Sequence, residues 1–149
     1  MQTAIKTVNL YDRDYCLWLE TTAQLLKNRQ LNDIDFEHLI EEIEAMGRSE
    51  KNALESNLMV ILMHLLKYKY QPEKRSNSWK YTLREHRNRI KKAFKSSPSL
   101  KPYFETIFSD CYQEARKLAA DETGLSLETF PKESPFAFEA TLNPDYLPE

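Results

Sequence analysis

Glycine is nearly missing from this chain: its 149 residues include only Gly47 and Gly124. Tight β-turns and phosphate-cradling loops both rely on glycine to reach backbone conformations closed to other residues. Two glycines 77 positions apart cannot form a GxGxxG or Walker-type loop. Nor is a GxSxG nucleophile elbow available. The scarcity points to helices. Cysteine is equally sparse. Cys16 and Cys111 form neither a CxxC pair nor a zinc-ligand spacing, so two buried thiols in a reducing cytoplasm are expected. Long apolar runs are absent too. The longest, Leu58–Met63, falls far short of the roughly 20 residues of a membrane span. The opening stretch MQTAIKTVNLYDRDY lacks the apolar centre of a signal peptide. A soluble protein with no membrane partner is expected.

The chain does have hydrophobic content, at 41%, and charge, at 30%, which is enough for one core under a solvated surface. Net charge is −2, yet its sign is segregated. Residues 1–66 carry 6 basic and 11 acidic side chains, residues 67–95 carry 11 and 2, and residues 96–149 carry 4 and 10. A basic middle lies between acidic ends.

Apolar spacing predicts four main helices. Asp12 is placed to cap the first, which has Tyr15, Trp18, Leu19, Thr22, Leu25 and Leu26 at steps of three and four. Asn32 or Asp33 is placed to cap the second. Its seam runs Phe36, Ile40, Ile43, Gly47, Glu50, Leu54, Asn57, Ile61, His64 and Tyr68, in unbroken steps of four and three. That is a heptad-type seam, the pattern that packs one helix on others. If continuous over about 34–69, the helix is roughly 50 Å long, with a bend or a close crossing expected at Gly47. Gln71-Pro72 ends it. Ser76 or Ser78 caps a third helix, with Trp79, Leu83, His86, Ile90 and Phe94 on one face. A fourth runs from Leu100 to Glu122, with Gly124 as a left-handed cap. The tail holds four of the seven prolines. Ser134-Pro135 is placed to cap one short helix there, and Phe130, Phe136, Phe138, Tyr146 and Leu147 would lie on the bundle as an apolar strap.

The glutamates Glu37, Glu41, Glu42 and Glu44 fall off the seam near a helix start. Negative charge is favoured there by the helix dipole, so a solvated acidic face explains them. Three polar residues interrupt the seam itself: Glu50, Asn57 and His64, each two turns or roughly 10.5 Å apart. A buried ionisable group needs a partner or shifts its pKa, so these three form a candidate polar pocket, with Arg48, Arg75, Arg84 and His86 as candidate partners. The bland alternative is polar residues that only fix helix register. Bundle metal sites repeat a Glu-x-x-His step. Only Asp35-x-x-His38 approaches it, so no metal is assigned. On the third helix Lys80, Arg84, Arg87, Lys91 and Lys95 share a face. Together with nearby Tyr68, Tyr70, Trp79 and Tyr81 they form a candidate anion or nucleic-acid surface. A sequence pI near 6.0 argues against a polyanion as the main partner. The stripe could equally pair with the glutamate-rich segment, within one chain or across a dimer.

Taken together, WLETTAQLLKNRQLNDIDFEHLIEEIEAMGRSEKNALES, HLLKYKYQPEKRSNSWKYTLREHRNRI, SPSLK and the tail ETGL…FP…SPF resemble the bacterial domain-of-unknown-function family twenty-nine over about residues 11–148. The resemblance implies a small all-helical domain and no assigned activity, ligand or catalytic residue. Where the family is expected to carry Gln in the third helix, this chain has His86.

The expected fold is therefore all-α: a single domain over 1–149, an antiparallel bundle of four main helices with a long second helix. An N-terminal arm would cover 1–10 and an extended apolar strap 125–149. The first functional reading is a cytoplasmic protein–protein interaction or scaffold module that forms a homodimer. The alternatives are a nucleic-acid-binding protein or nuclease acting through the basic third helix with His64 or His86, and a metal or small-ligand pocket around His64. No catalytic residue and no cofactor is assigned, and enzymatic activity is left open.

Overall fold

The computed structural model describes residues 10–149, and among them there is helix but no strand. The expected arm at 1–10 lies, except for Leu10, outside the described residues. The main elements are α1 (Tyr15–Lys27), α2 (Phe36–Tyr70), α3 (Asn77–Ser96), α4 (Leu100–Thr123) and a short α5 (Phe138–Leu142). The chain divides into two compact units, Met1–Ser49 and Glu50–Glu149, and α2 contributes residues to both.

In the first unit α1 starts at Asp14, not Asp12. Residues 10–13 already form a helical turn, and the Leu17 amide donates to Asp14 Oδ1 at 3.0 Å. Similarly α2 is capped by Asp35 rather than Asn32 or Asp33. Leu31–Asp33 form a 3₁₀ turn and Ile34 is extended and buried, so the helix cannot begin earlier. The His38 amide donates to Asp35 Oδ1 at 3.3 Å. Trp18, Thr22, Leu25 and Ile34 are buried here.

The second unit holds the larger core. Leu54, Leu58, Ile61, Leu62, Leu65 and Leu66 of α2 pack with Leu83 and Ile90 of α3 and with Phe104, Ile107, Tyr112 and Ala115 of α4. Breaks fall where proline and serine predict them. Pro72 follows the last turn of α2, the Trp79 amide donates to Ser76 Oγ at 3.2 Å, and Gly124 (φ 74°) closes α4 in the left-handed region.

One central expectation fails in part. The heptad seam of α2 is one continuous helix, but its apolar edge is sealed only from Leu54 onward. Phe36, Ile40, Ile43 (57% exposed) and Met46 (60% exposed) face solvent. Nor does Gly47 mark a close crossing: a methyl group added there would meet nothing within 4 Å. Periodicity shows that a face is apolar, not that anything covers it. Cys16, expected to be buried, is also exposed.

The strap packs as expected, with Phe130 and Phe136 buried and Phe138, Leu142, Tyr146 and Leu147 against the same core. The expected short helix sits three residues late, at Phe138–Leu142, because Ser134 spends its hydroxyl on a local turn with the Phe136 backbone. Polar side chains then anchor the strap's backbone. Arg116 Nε donates to the Phe130 carbonyl (3.0 Å), the Tyr112 hydroxyl to Pro131 (2.6 Å), Arg87 Nε to Thr141 (2.9 Å) and Arg75 Nη2 to Pro148 (3.4 Å).

Replacing Arg116 with Met would keep the buried stem and remove the donor to the Phe130 carbonyl. Leaving a buried carbonyl unsatisfied costs about 1–3 kcal/mol, so R116M is expected to unfold earlier in urea by that amount. Unchanged stability in urea would show that this bond does not hold the strap.

Candidate functional site

The basic face of α3 is the best-defined candidate. Ser76 starts the helix, and the 100° step then places Lys80, Arg84, Arg87, Lys91 and Lys95 in one sector. Lys80, Arg84, Lys91 and Lys95 are exposed, and none lies within 4 Å of a carboxylate among the described residues. Arg87 departs from the expectation of a free surface cation. It is only 5% exposed, with Nε on the Thr141 carbonyl and Nη2 on Ala140 at 3.5 Å. Those carbonyls end α5, where a cation complements the helix dipole. Burial pushes the Arg87 guanidinium below its ordinary value, and the Tyr146 hydroxyl acts against this.

Along this face, between α3 and the strap, lies a groove of about 560 Å³ lined by Arg84, Arg87, Asn88, Ile90, Lys91, Phe94, Leu142 and Pro144. A smaller hollow of about 260 Å³ adjoins it at Lys80, Tyr81 and Arg84, with Asp145 on its wall. Sequence reasoning found the cations of this site. It missed the wall, because Leu142 and Pro144 are about fifty positions away and nothing local pairs them with α3.

The expected polar pocket is not gathered into one place. Glu50 is exposed, while Asn57 and His64 are half-buried at separate turns. His64 meets its own helix rather than a neighbour: its Nδ1–H donates to the Val60 carbonyl at 2.9 Å. Burial holds the imidazole below its ordinary value; the Val60 bond and Glu122 oppose this, while Lys67 and His86 add to it. His86 does the same on α3, donating to Thr82 at 2.9 Å. Close to His64, buried Lys67 pairs with Glu122 at 2.6 Å and lies 4.8 Å from the Trp79 ring centroid. Among the described residues no three His, Cys, Asp or Glu side chains are grouped to hold a metal.

A second polar cluster, in the first unit, escaped sequence reasoning. The Tyr11 and Tyr15 hydroxyls both donate to the Glu42 carboxylate, the latter at 2.5 Å. Tyr11 stacks on His38 with ring centroids 3.9 Å apart, and His38 Nδ1–H donates to Asp35 Oδ2 at 2.5 Å. The Tyr11 hydroxyl is pushed up to about 12, chiefly by its bond to Glu42, whose own carboxyl is held below the usual range by the two tyrosines. Glu42 was placed on a solvated acidic face; it is instead the hub joining α2 to the chain at Tyr11 and Tyr15. The i,i+3 spacing of Asp35 and His38 was the only visible signal.

The hydrogen bond to Asp35 raises the His38 pKa above its ordinary value. A group raised on folding stabilises the fold below its unfolded pKa, about 6.5, and that contribution fades as pH rises through the folded value. Thermal unfolding followed across this window is expected to show wild type losing stability as pH rises. H38Q should lack that component. Parallel pH profiles for the two proteins would rule the pair out as a stabilising contact.

No curated protein and no solved structure matches the chain. No helix of the described residues is long and apolar enough to cross a membrane. A family model does match, over residues 10–147, and its description is Domain of unknown function DUF29. With nearly the whole described chain inside that match, an all-helical protein whose α3 face and strap are built from the segments that first suggested the resemblance, the chain belongs to the DUF29 family.

Proposed function

We propose that the protein is an intracellular interaction module that associates with a second copy of itself through the N-terminal half of α2. The observation that carries this reading is the exposed stripe of seam residues Phe36, Ile40 and Ile43, with Met46 beside them, on a helix whose seam is sealed further along. An apolar face with heptad spacing is suited to pack on a helix, and exposed apolar patches of this kind mark interaction surfaces.

Gly47 supports a close helix approach. In a single copy it faces open space, where alanine would be favoured by about 1 kcal/mol in a helix interior. A glycine on an apolar seam makes physical sense if another backbone passes over it. An antiparallel crossing between Ile43 and Met46 would also bring Glu41 of one copy toward Arg48 of the other, both exposed and unpaired among the described residues. That crossing is two-fold symmetric, the commonest closure for a homo-oligomer. The exposed free thiol of Cys16 and the unbonded Cys111 support a reducing compartment.

Light scattering on the purified chain tests the reading. Wild type is expected to show a concentration-dependent dimer, and I43E/M46E to be monomeric with unchanged helical circular dichroism. Each tenfold loss of affinity corresponds to about 1.4 kcal/mol, and two charges buried from each copy should cost at least two such steps. A wild-type chain that stays monomeric at its highest soluble concentration would overturn the proposal.

A further inference from the structure

The groove between α3 and the strap makes a separate case, independent of self-association. Its wall combines two chemistries. Arg84, Arg87 and Lys91 line it with no acidic residue among the lining side chains. They follow one another at steps of three and four, where like charges on a helix repel. Arg87 is buried with its guanidinium hydrogen-bonded to backbone carbonyls and no carboxylate within 4 Å among the described residues. A buried cation without an anion is normally a costly arrangement. Ile90 and Phe94 of α3, with Leu142 and Pro144 of the strap, supply the groove's apolar lining. Its volume of about 560 Å³ is in the ordinary range for a small-molecule site.

We propose that this groove binds a small anionic amphiphile, with its carboxylate between Arg84 and Lys91 and its apolar body on Ile90, Phe94, Leu142 and Pro144. Charge complementarity selects the headgroup: an arriving carboxylate relieves the repulsion along α3 and supplies the counter-charge that Arg87 lacks. A polyanion is a poorer fit. A phosphate backbone makes no use of four apolar side chains. The adjoining hollow extends the row to Lys80 but places Asp145 in it, which would repel a second negative group. The headgroup therefore belongs in the main groove, whose lining carries no acidic side chain.

Sodium decanoate below its micelle concentration is a suitable probe, titrated into the full chain and followed by amide chemical shifts. Saturable shifts are expected in 84–94 and 140–145, together with a rise in melting temperature, because a ligand that binds only the folded state stabilises it. The neutral analogue decanol should bind at least tenfold more weakly, and so should inorganic phosphate, which lacks the apolar body. Arg84 and Lys91 are both exposed, so R84Q/K91Q should fold as wild type, checked by circular dichroism, and weaken decanoate at least tenfold. Four results would overturn the proposal: no saturable binding of decanoate; equal binding by the double variant; shifts confined to the Phe36–Met46 stripe; or shifts in 84–94 produced by a generic single-stranded oligonucleotide and not by decanoate, which would make the face a nucleic-acid surface.

Discussion

Buried backbone carbonyls need donors, and in the strap several of those donors are side chains rather than backbone N–H groups. The second unit meets this constraint with long side chains reaching from its helices. Arg116 serves Phe130, Tyr112 serves Pro131, Arg87 serves Ala140 and Thr141, and Arg75 serves Pro148. Guanidinium suits the task because its several N–H groups can satisfy neighbouring carbonyls at once. The aromatic residues of the strap then settle on the core at fixed points: Phe138 edge-on to Phe104 at 4.9 Å, and Tyr70 edge-on to Phe130 at 5.5 Å. Everything proposed for the α3 groove depends on this anchoring, because the strap supplies one wall and Arg87 is both its anchor and part of the lining.

The first unit is organised differently. Its polar contacts converge on Glu42 and Asp35, while much of its apolar surface is left uncovered: Tyr15, Leu17 and Leu19 of α1 are exposed along with the Phe36–Met46 stripe. Even its buried part is imperfectly satisfied. Trp18 Nε1 and Thr22 Oγ1, one helical turn apart, have no hydrogen-bond partner among the described residues. Unsatisfied buried polar atoms are uncommon in native proteins. A well-sealed second unit and a sparsely sealed first one, threaded by the same long helix, place the surplus apolar surface where a second copy would be useful.

Several features were legible in the sequence because they are decided locally. The end of α2 at Tyr70, a serine cap on α3, with Ser76 taking the place the sequence left open to Ser76 or Ser78, and the left-handed Gly124 all follow from the chemistry of one or two residues. The cap positions of α1 and α2 were misplaced by two residues, since several aspartates in a row can cap and only the burial of Ile34 and the preceding turns choose among them. The basic row of α3 was legible as a helix face. That Arg87 turns inward while its four companions turn outward was not, because this depends on where the strap's carbonyls arrive.

The sequence by itself determined that the chain is helical, where its helices break and which sector of each is apolar or charged, because propensity, capping and periodicity act over a few neighbouring residues. Only the tertiary structure decided which of those sectors are covered. The seam residues Ile43 and Ile61 are equivalent in the sequence pattern, yet one is exposed and the other buried. The same holds for His64, whose partner turned out to be its own helix, and for the groove on α3. Burial and pairing are set by segments distant along the chain, and their arrival is a property of packing that no local pattern records.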